Sequence, residues 1–300
     1  MELHQLRYLV AVARTGNFSR AAVQCHVSQP SLSQQIQKLE DELGERLFDR
    51  LKTTARLTAA GETLRARAIR ILAEVDAARR EAAESRALAR GRIALGILPT
   101  IAPYLLPRVL PAFHAAHPGL EIVVQEDTTA QLLGLVAACE LDLAVASLPL
   151  RDDRFHAEAL FTEDLRLALP PDHPLIGRRT LRAADLAGER FILMKEGHCL
   201  GDQVLDFCSR RDLQPGIRCR STQIETIRTL VDAGMGISLI PAMACPTEPA
   251  LQSRYRRLAA PSPRRTIVAC WLETRPPGRA GLALLRHLRA TAPSPEPKPR

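Results

Sequence analysis

The hydrophobic period of this chain changes once, near Gly91, and that change limits what it can fold into. Before it, apolar residues recur every three or four positions, the spacing of amphipathic helices. After it, apolar runs of strand length (RIALGIL, LEIVVQE, LDLAVASL, LRLALP, RFILMK, GISLIPA, TIVACWL) alternate with helical stretches at 104–116, 129–138 and 224–233. That alternation predicts an α/β domain with a mostly parallel sheet. With 300 residues, 46% of them hydrophobic, about two domains with sizeable cores can form. The Pro-rich tail APSPEPKPR, 292–300, is expected to be disordered.

Within the first part, Leu3, Leu6, Leu9, Val10 and Ala13 share one helical face, and Thr15, Gly16 and Asn17 break that helix. Ser19 is expected to cap a short helix over Ala21, Ala22 and Val23. After a turn at Cys25–Ser28, Ser28 or Gln29 opens a longer helix, with Pro30 tolerated in its first turn. Its apolar face is Leu32, Ile36, Leu39 and Leu43. The opposite face carries Ser31, Ser33, Gln34, Gln35, Gln37 and Lys38. A solvated face is usually rich in Glu and Lys; these neutral groups both donate and accept, as base-edge readers do. The plainer alternative is a neutral solvated face. Arg46, Arg50, Lys52 and Arg56 then surround Thr53 and Thr54, reading as a hairpin wing whose cations meet phosphates. The net charge of +8 points the same way, although an Arg-rich coding bias would produce it too. Thr58 is placed to cap a further helix. There Leu64, Ala68, Ile71, Val75, Ala78 and Ala82 form a seam suited to a partner helix, or to packing on its own domain.

Several classes are excluded. Met1–Arg14 does not read as a secretory signal, and no run approaches the roughly 18 apolar residues of a membrane span, so a cytoplasmic protein without membrane association is expected. Seven cysteines without a Cys-x-x-Cys pair suit neither a disulfide framework nor zinc. There is no Gly-x-Ser-x-Gly elbow, phosphate loop or His-Glu-x-x-His. The expectation is no enzyme, no catalytic residue, no metal and no cofactor.

One segment is reactive by design, EGHCLGDQVLDFCSRRD. Cys199 falls at a helix start with His198 beside it, and both features are expected to lower its pKa. Cys208 lies nine positions on. On one helix the pair would face opposite ways about 13 Å apart along the axis, whereas a disulfide needs Cα atoms within about 7 Å. Bonding and this helix are therefore mutually exclusive. The bland alternative is a pair of inert buried thiols.

Residues 1 to about 60 resemble the DNA-binding domain of the LysR-type transcriptional regulators through LRYLVAVARTGNFSRAA, VSQPSLSQQIQKLEDELGERLFDR and LTAAGE, in order and without gaps. The resemblance implies an α+β multidomain protein. Residues 1–59 would be a mostly helical winged helix-turn-helix, 60–90 a long dimerising linker helix, and 91–291 a two-lobed α/β regulatory domain of the periplasmic-binding-protein type. Lobe I would be 91–163 and 265–291 and lobe II 164–264, with a ligand cleft between them. DNA contacts would come from Gln29, Pro30, Ser31, Ser33, Gln34, Gln37, Arg50 and Arg56. Partners would be promoter DNA, a second copy through the linker, a tetramer, and RNA polymerase.

The run GHCL-x-DQ-x-x-x-FC is further similar to the redox centre of the peroxide-sensing members of that family, which activate oxidative-stress genes. It implies hydrogen peroxide as signal, with Cys199 the peroxidatic and Cys208 the resolving cysteine. Thr100, Thr129 and His198 would hold and polarise peroxide. Asp202 and Gln203 would support the site, and Arg264 or Arg265 would pair with Asp202. Gly201 and Asp206 depart from the pattern, and Cys25, Cys139, Cys219, Cys245 and Cys270 could compete. Two rivals follow: a regulator with a small-molecule inducer between the lobes and incidental cysteines, and a cysteine-dependent peroxidase or hydrolase.

Overall fold

Three helices, a hairpin and a long fourth helix build the first of two compact units, Met1–Ala87; the second is Leu88–Arg300. The computed structural model describes residues 1–50, 55–83 and 91–291, without the side chains of Arg50, Asp76, Ala77 and 79–83. Lys52, Thr53 and Thr54, the tail 292–300, the segment 84–90 and the side chains of Arg50 and Ala82 therefore lie outside the described residues.

In the first unit, α1 (Leu3–Thr15), α2 (Phe18–Gln24) and α3 (Gln29–Leu43) lead into a hairpin, β1 (Phe48–Arg50) and β2 (Ala55–Leu57), and then α4 (Ala59–Ala83). The cap of α2 is Asn17, not Ser19: its side chain accepts the Arg20 N–H at 3.0 Å, from the extended conformation a cap requires. Ser28 caps α3 in the same way, and Pro30 sits in the first turn. Leu6, Leu9 and Val12 of α1 meet Leu32, Ile36 and Leu39 of α3 in one core, with Ala21 and Ala22 allowing close approach. Leu3 and Leu43, read as core from their spacing, are 38% and 42% exposed, being the first residue of α1 and the last of α3. Glu40 is buried, and its Oε1 accepts the N–H groups of Leu47 (2.7 Å) and Phe48 (3.2 Å), which fastens the hairpin to α3.

Thr58 accepts the Gly61 N–H at 3.0 Å and so caps α4. The expected seam of α4 divides. Ala68 is buried in the unit's own core, with Leu64 packed beside it, so these two face α1 rather than a partner. Ile71 and Ala78 are exposed and Val75 is half-buried. No described helix is long and apolar enough to cross a membrane.

The second unit begins with β3 (Gly91–Ile97), α5 (Ala102–Ala116), β4 (Leu120–Glu126), α6 (Thr129–Ala137) and β5 (Leu143–Ser147). The long strand β6 (Phe155–Ala168) leads to β7 (Arg190–Met194), α7 (Cys199–Ser209), β8 (Gly216–Ser221), α8 (Ile224–Asp232), β9 (Ser238–Pro241), α9 (Pro249–Gln252) and β10 (Tyr255–Arg256). β11 (Arg264–Leu272) and α10 (Arg279–Thr291) close the unit.

The sheet is mixed rather than mostly parallel. β3 pairs parallel with β4 and β5, and β7 with β8, but β11 runs antiparallel to β5 and β6, and β6 antiparallel to β9 and β10. The cause is connectivity. One strand carries the chain out of the first lobe and another carries it back, so the two lie antiparallel side by side. β6 is also more than twice as long as its apolar run LRLALP suggests, because His156, Glu158, Thr162, Glu163 and Asp164 interrupt the hydrophobic pattern ahead of that run. Two cores result. One gathers residues from β3, β5, α5, α6, β11 and α10; the other gathers β7, α7, α8, β9 and the end of β6.

Candidate functional site

The loop after β7 decides where the first thiol points. Gly197 adopts φ +87°, open to glycine at little cost, and the chain turns directly into α7. His198 is the N-cap residue and Cys199 the first helical residue. The start of α7 lies tight on β7: a Cβ at Gly201 would stand 2.9 Å from the Met194 carbonyl oxygen. Leu200, Val204, Phe207 and Cys208 of α7 belong to the second lobe's core, while Cys199 packs against the first lobe's core. Both cysteines are free thiols, and the helix between them is continuous.

Residues from two other elements act on Cys199. Thr129, first residue of α6, turns its hydroxyl toward the thiol. Thr129 Oγ1 is buried, lies close enough to the thiol to favour a thiolate, and meets no other polar partner among the described residues. Arg265 of β11 is fully buried. Its Nη1 donates to Thr100 Oγ1 (2.9 Å), its Nη2 to the Thr100 carbonyl (3.0 Å) and its Nε to Glu163 Oε1 (2.8 Å). Glu163 Oε2 accepts the Met243 N–H at 3.0 Å.

Neither arginine of the PRRTI run pairs with Asp202. The β6–β11 register sets Arg265 opposite Glu163 and Arg264 opposite Asp164, and strand alternation sends the two pairs to opposite faces. Arg264 (2.6 Å) and Arg257 (2.8 Å) both bind the buried Asp164 carboxylate. Asp202 is exposed on the rim of the cleft, without an ion pair among the described residues.

The electrostatics differ from expectation. Burial pushes the Cys199 thiol up; Arg265 and the Thr129 hydroxyl pull it down, Asp202 adds a smaller upward push, and burial wins. A helix start does not offset the loss of solvent here. His198 is held below the ordinary imidazole value by burial, with Asp127 opposing and Lys195 reinforcing. It is therefore neutral at pH 7, and the cation acting on Cys199 is Arg265. Burial raises Cys208 as well, against the Arg211 guanidinium that lies 3.9 Å over Phe207. Cys270, buried in the first core, is pushed up to about 12.

Gln203, one turn beyond Cys199, joins the lobes. Its Nε2 donates to Ser147 Oγ (2.8 Å) and to the Leu148 carbonyl (2.9 Å), while its Oε1 is buried without a partner. A cleft of about 680 Å³ opens here, lined by Cys199, Thr129, Gln203, Asp202, Pro149 and Arg151. The structure thus gathers Cys199, Thr129, Thr100, Arg265 and Gln203, sets His198 beside them, and leaves Cys208 in the other core. Glu163 and Ser147 were not singled out from sequence. Two adjacent acids in one strand run and two adjacent arginines in another were the available signal for Glu163; Ser147 had none.

On the first unit, Gln29, Pro30, Ser31, Gln34 and Gln37 are exposed along one side of α3, and Ser33 is half-buried. Gln37 donates to Asp41 at 2.9 Å, which competes with base contact. Arg56 of β2 is exposed. Among the described residues no cluster of three His, Cys, Asp or Glu is placed to hold a metal.

Comparison with known proteins is consistent along the whole chain. Residues 3–62 match the family described as bacterial regulatory helix-turn-helix protein, lysR family, and residues 86–293 match the LysR substrate binding domain. The DNA-binding transcriptional dual regulator OxyR of Escherichia coli (strain K12) is 40% identical over 268 residues, 89% of this chain and 88% of that protein. A cysteine-to-aspartate variant of full-length OxyR from Pseudomonas aeruginosa superposes with a TM-score of 0.79 at 33% identity, over 98% of this chain and 100% of that one. An H2O2-bound cysteine-to-serine variant of Corynebacterium glutamicum OxyR gives 0.64 at 30% identity, over 97% and 92%.

Proposed function

The chain belongs to the LysR family of bacterial transcription regulators, and we propose that it is a peroxide-responsive activator whose switch is the pair Cys199 and Cys208. The observation that carries this is the buried Thr129 hydroxyl, whose one polar neighbour among the described residues is the Cys199 thiol at the mouth of a cleft. Hydrogen peroxide, small and able both to donate and accept, suits a hydroxyl and a thiol so placed. Thr100 already accepts from Arg265, so its own hydroxyl proton is left to donate.

The chemistry follows from these positions. Cys199 gives up its proton, for which the adjacent residue in the chain, neutral His198, is a candidate acceptor. The thiolate attacks one peroxide oxygen, the O–O bond breaks, and hydroxide leaves and is protonated to water. Cys199 is then a sulfenic acid. Arg265 and the two threonines favour both the thiolate and the departing oxygen. The Cys208 thiol next displaces water from the sulfenic acid, closing a disulfide, and this requires α7 to unwind. Two thiols and one peroxide thus become one disulfide and two waters, and cellular thiols reverse the change by exchange. The reader is α3 with its wing, acting on promoter DNA in the cytoplasm as a homodimer or tetramer that engages RNA polymerase. The test is peptide mapping of the full chain after brief, low-dose peroxide. Cys199 should be the first thiol modified, and Cys199→Ser should bind DNA without responding. First modification at Cys139, Cys219, Cys245 or Cys270, or a Cys199→Ser protein that still switches, would transfer the response to a small-molecule inducer in the cleft.

A further inference from the structure

We propose that Glu163 is the positioning residue for this site, fixing the Arg265 guanidinium and setting how much positive charge it presents to Cys199. The inference rests on the peroxide reading above. It stands on two contacts of one buried carboxylate. Glu163 Oε1 holds Arg265 Nε at 2.8 Å across the β6–β11 pair, and Oε2 holds the Met243 backbone N–H at 3.0 Å. Arg265 is fully buried and Glu163 nearly so, so solvent screens neither charge strongly. With its Nε pinned, the guanidinium plane can turn only so as to meet Thr100 through both Nη atoms.

Two consequences oppose each other. Geometrically, Glu163 holds Arg265 and Thr100 where the reaction needs them. Electrostatically, its negative charge offsets part of the arginine's field at the thiol. Burial raises the Cys199 pKa, and the Arg265 guanidinium is the largest influence opposing it, so any restraint on that cation bears directly on the thiol. The other charged groups facing this place are Asp202 on α7 itself, which disfavours the thiolate, and neutral His198 with Asp127 and Lys195 behind it. A regulator benefits from this restraint: a thiol held mainly protonated spends less time open to indiscriminate oxidation.

The two roles separate by substitution. In the full-length protein carrying Cys208→Ser, the Cys199 thiolate is titrated by ultraviolet absorbance, and the rate of sulfenic acid formation is followed with a dione trap. Glu163→Gln removes the charge and keeps one acceptor for Arg265. Its thiolate midpoint is expected to fall by about one pH unit, a roughly tenfold rise in thiolate fraction below the midpoint. Glu163→Asp keeps the charge but cannot span Arg265 and Met243 together. It should leave the midpoint near that of the unsubstituted protein and slow oxidation several-fold. A Gln variant with an unchanged or raised midpoint overturns the charge role. An Asp variant that oxidises at the original rate overturns the positioning role, and does so even if the Gln variant fails to fold. If Cys199 is not oxidised in the protein with Glu163 intact, the peroxide reading itself is at fault; if it is oxidised and the variants do not differ from it, only this inference fails.

Discussion

Cys199 and Cys208 stand at the two ends of one uninterrupted helix, the first packed on one lobe's core and the second buried in the other's. Nothing short of losing that helix brings their sulfurs together. The stability of α7 in its reduced place is therefore a direct determinant of the redox set point.

Gly201 offers a way to move that set point. A side chain there meets the Met194 carbonyl at 2.9 Å, a backbone atom that cannot step aside. Gly201→Ala should destabilise the reduced, helical arrangement by about 1–3 kcal/mol and leave the unwound form less affected. About 1.4 kcal/mol corresponds to about 30 mV for a two-electron couple, so the disulfide potential should become more negative by roughly 20–60 mV. Equilibration with glutathione or dithiothreitol buffers measures this. An unchanged potential would mean that α7 keeps its place on oxidation.

His198 predicts a pH effect whose sign can be worked out. Its folded pKa is lowered below the ordinary 6.5 because burial disfavours the imidazolium. The unfolded chain thus takes up a proton at a higher pH than the folded one. The stabilisation is present above pH 6.5 and is lost as pH falls from there through the lowered value. Reduced protein should show a decreasing denaturation midpoint over that acid range, and His198→Gln should remove this component. An identical pH profile for both proteins would contradict it.

On α3, Gln34 is exposed and its amide is suited to a base edge. Gln34→Ala should relax preference at one operator position by about 1–3 kcal/mol. Arg56→Ala should weaken binding to all sequences and flatten its salt dependence, as expected when a phosphate contact is lost. Competition binding with cognate and random duplexes distinguishes the two; equal loss on both for Gln34→Ala would remove it from the readers.

The outer part of α4 bears on assembly. Ile71 is 39% exposed and Val75, four residues on, is only half-buried, whereas Ala68 is already used inside its own unit. Placing Asp at both Ile71 and Val75 should cost little in folding and should abolish dimers, because each charge would be buried at the contact. Sedimentation reads this directly, and an unchanged oligomer would place the contact elsewhere.

Much of this was legible in the sequence because local rules acted without competition. Ser28 before Pro30 marked the start of α3, and the alternating apolar runs located most strands of the second unit. What was not legible depended on partners far away in the chain. Glu163 and Arg265 are 102 residues apart, and only the pairing of β6 with β11 makes them neighbours. The acidic stretch of β6 hides a strand because Glu163 and Asp164 are neutralised by Arg265 and Arg264 of the neighbouring strand. The expected lowering of the Cys199 pKa is reversed for a similar reason: helix starts and adjacent histidines are visible in a sequence, and desolvation by a second lobe is not.

The Gln203 amide, lying on α7 between the two cysteines, grips Ser147 and Leu148 of the other lobe. The tether is thus part of the very segment that oxidation must dismantle. A sensor with its reactive group in a side pocket has to relay the news through intervening parts, each a place for the signal to leak. Here the same few residues make the chemical bond and release the mechanical one. The response is accordingly expected to be close to all-or-none for each subunit, with little room for a molecule that has closed its disulfide and yet keeps the stance of one that has not.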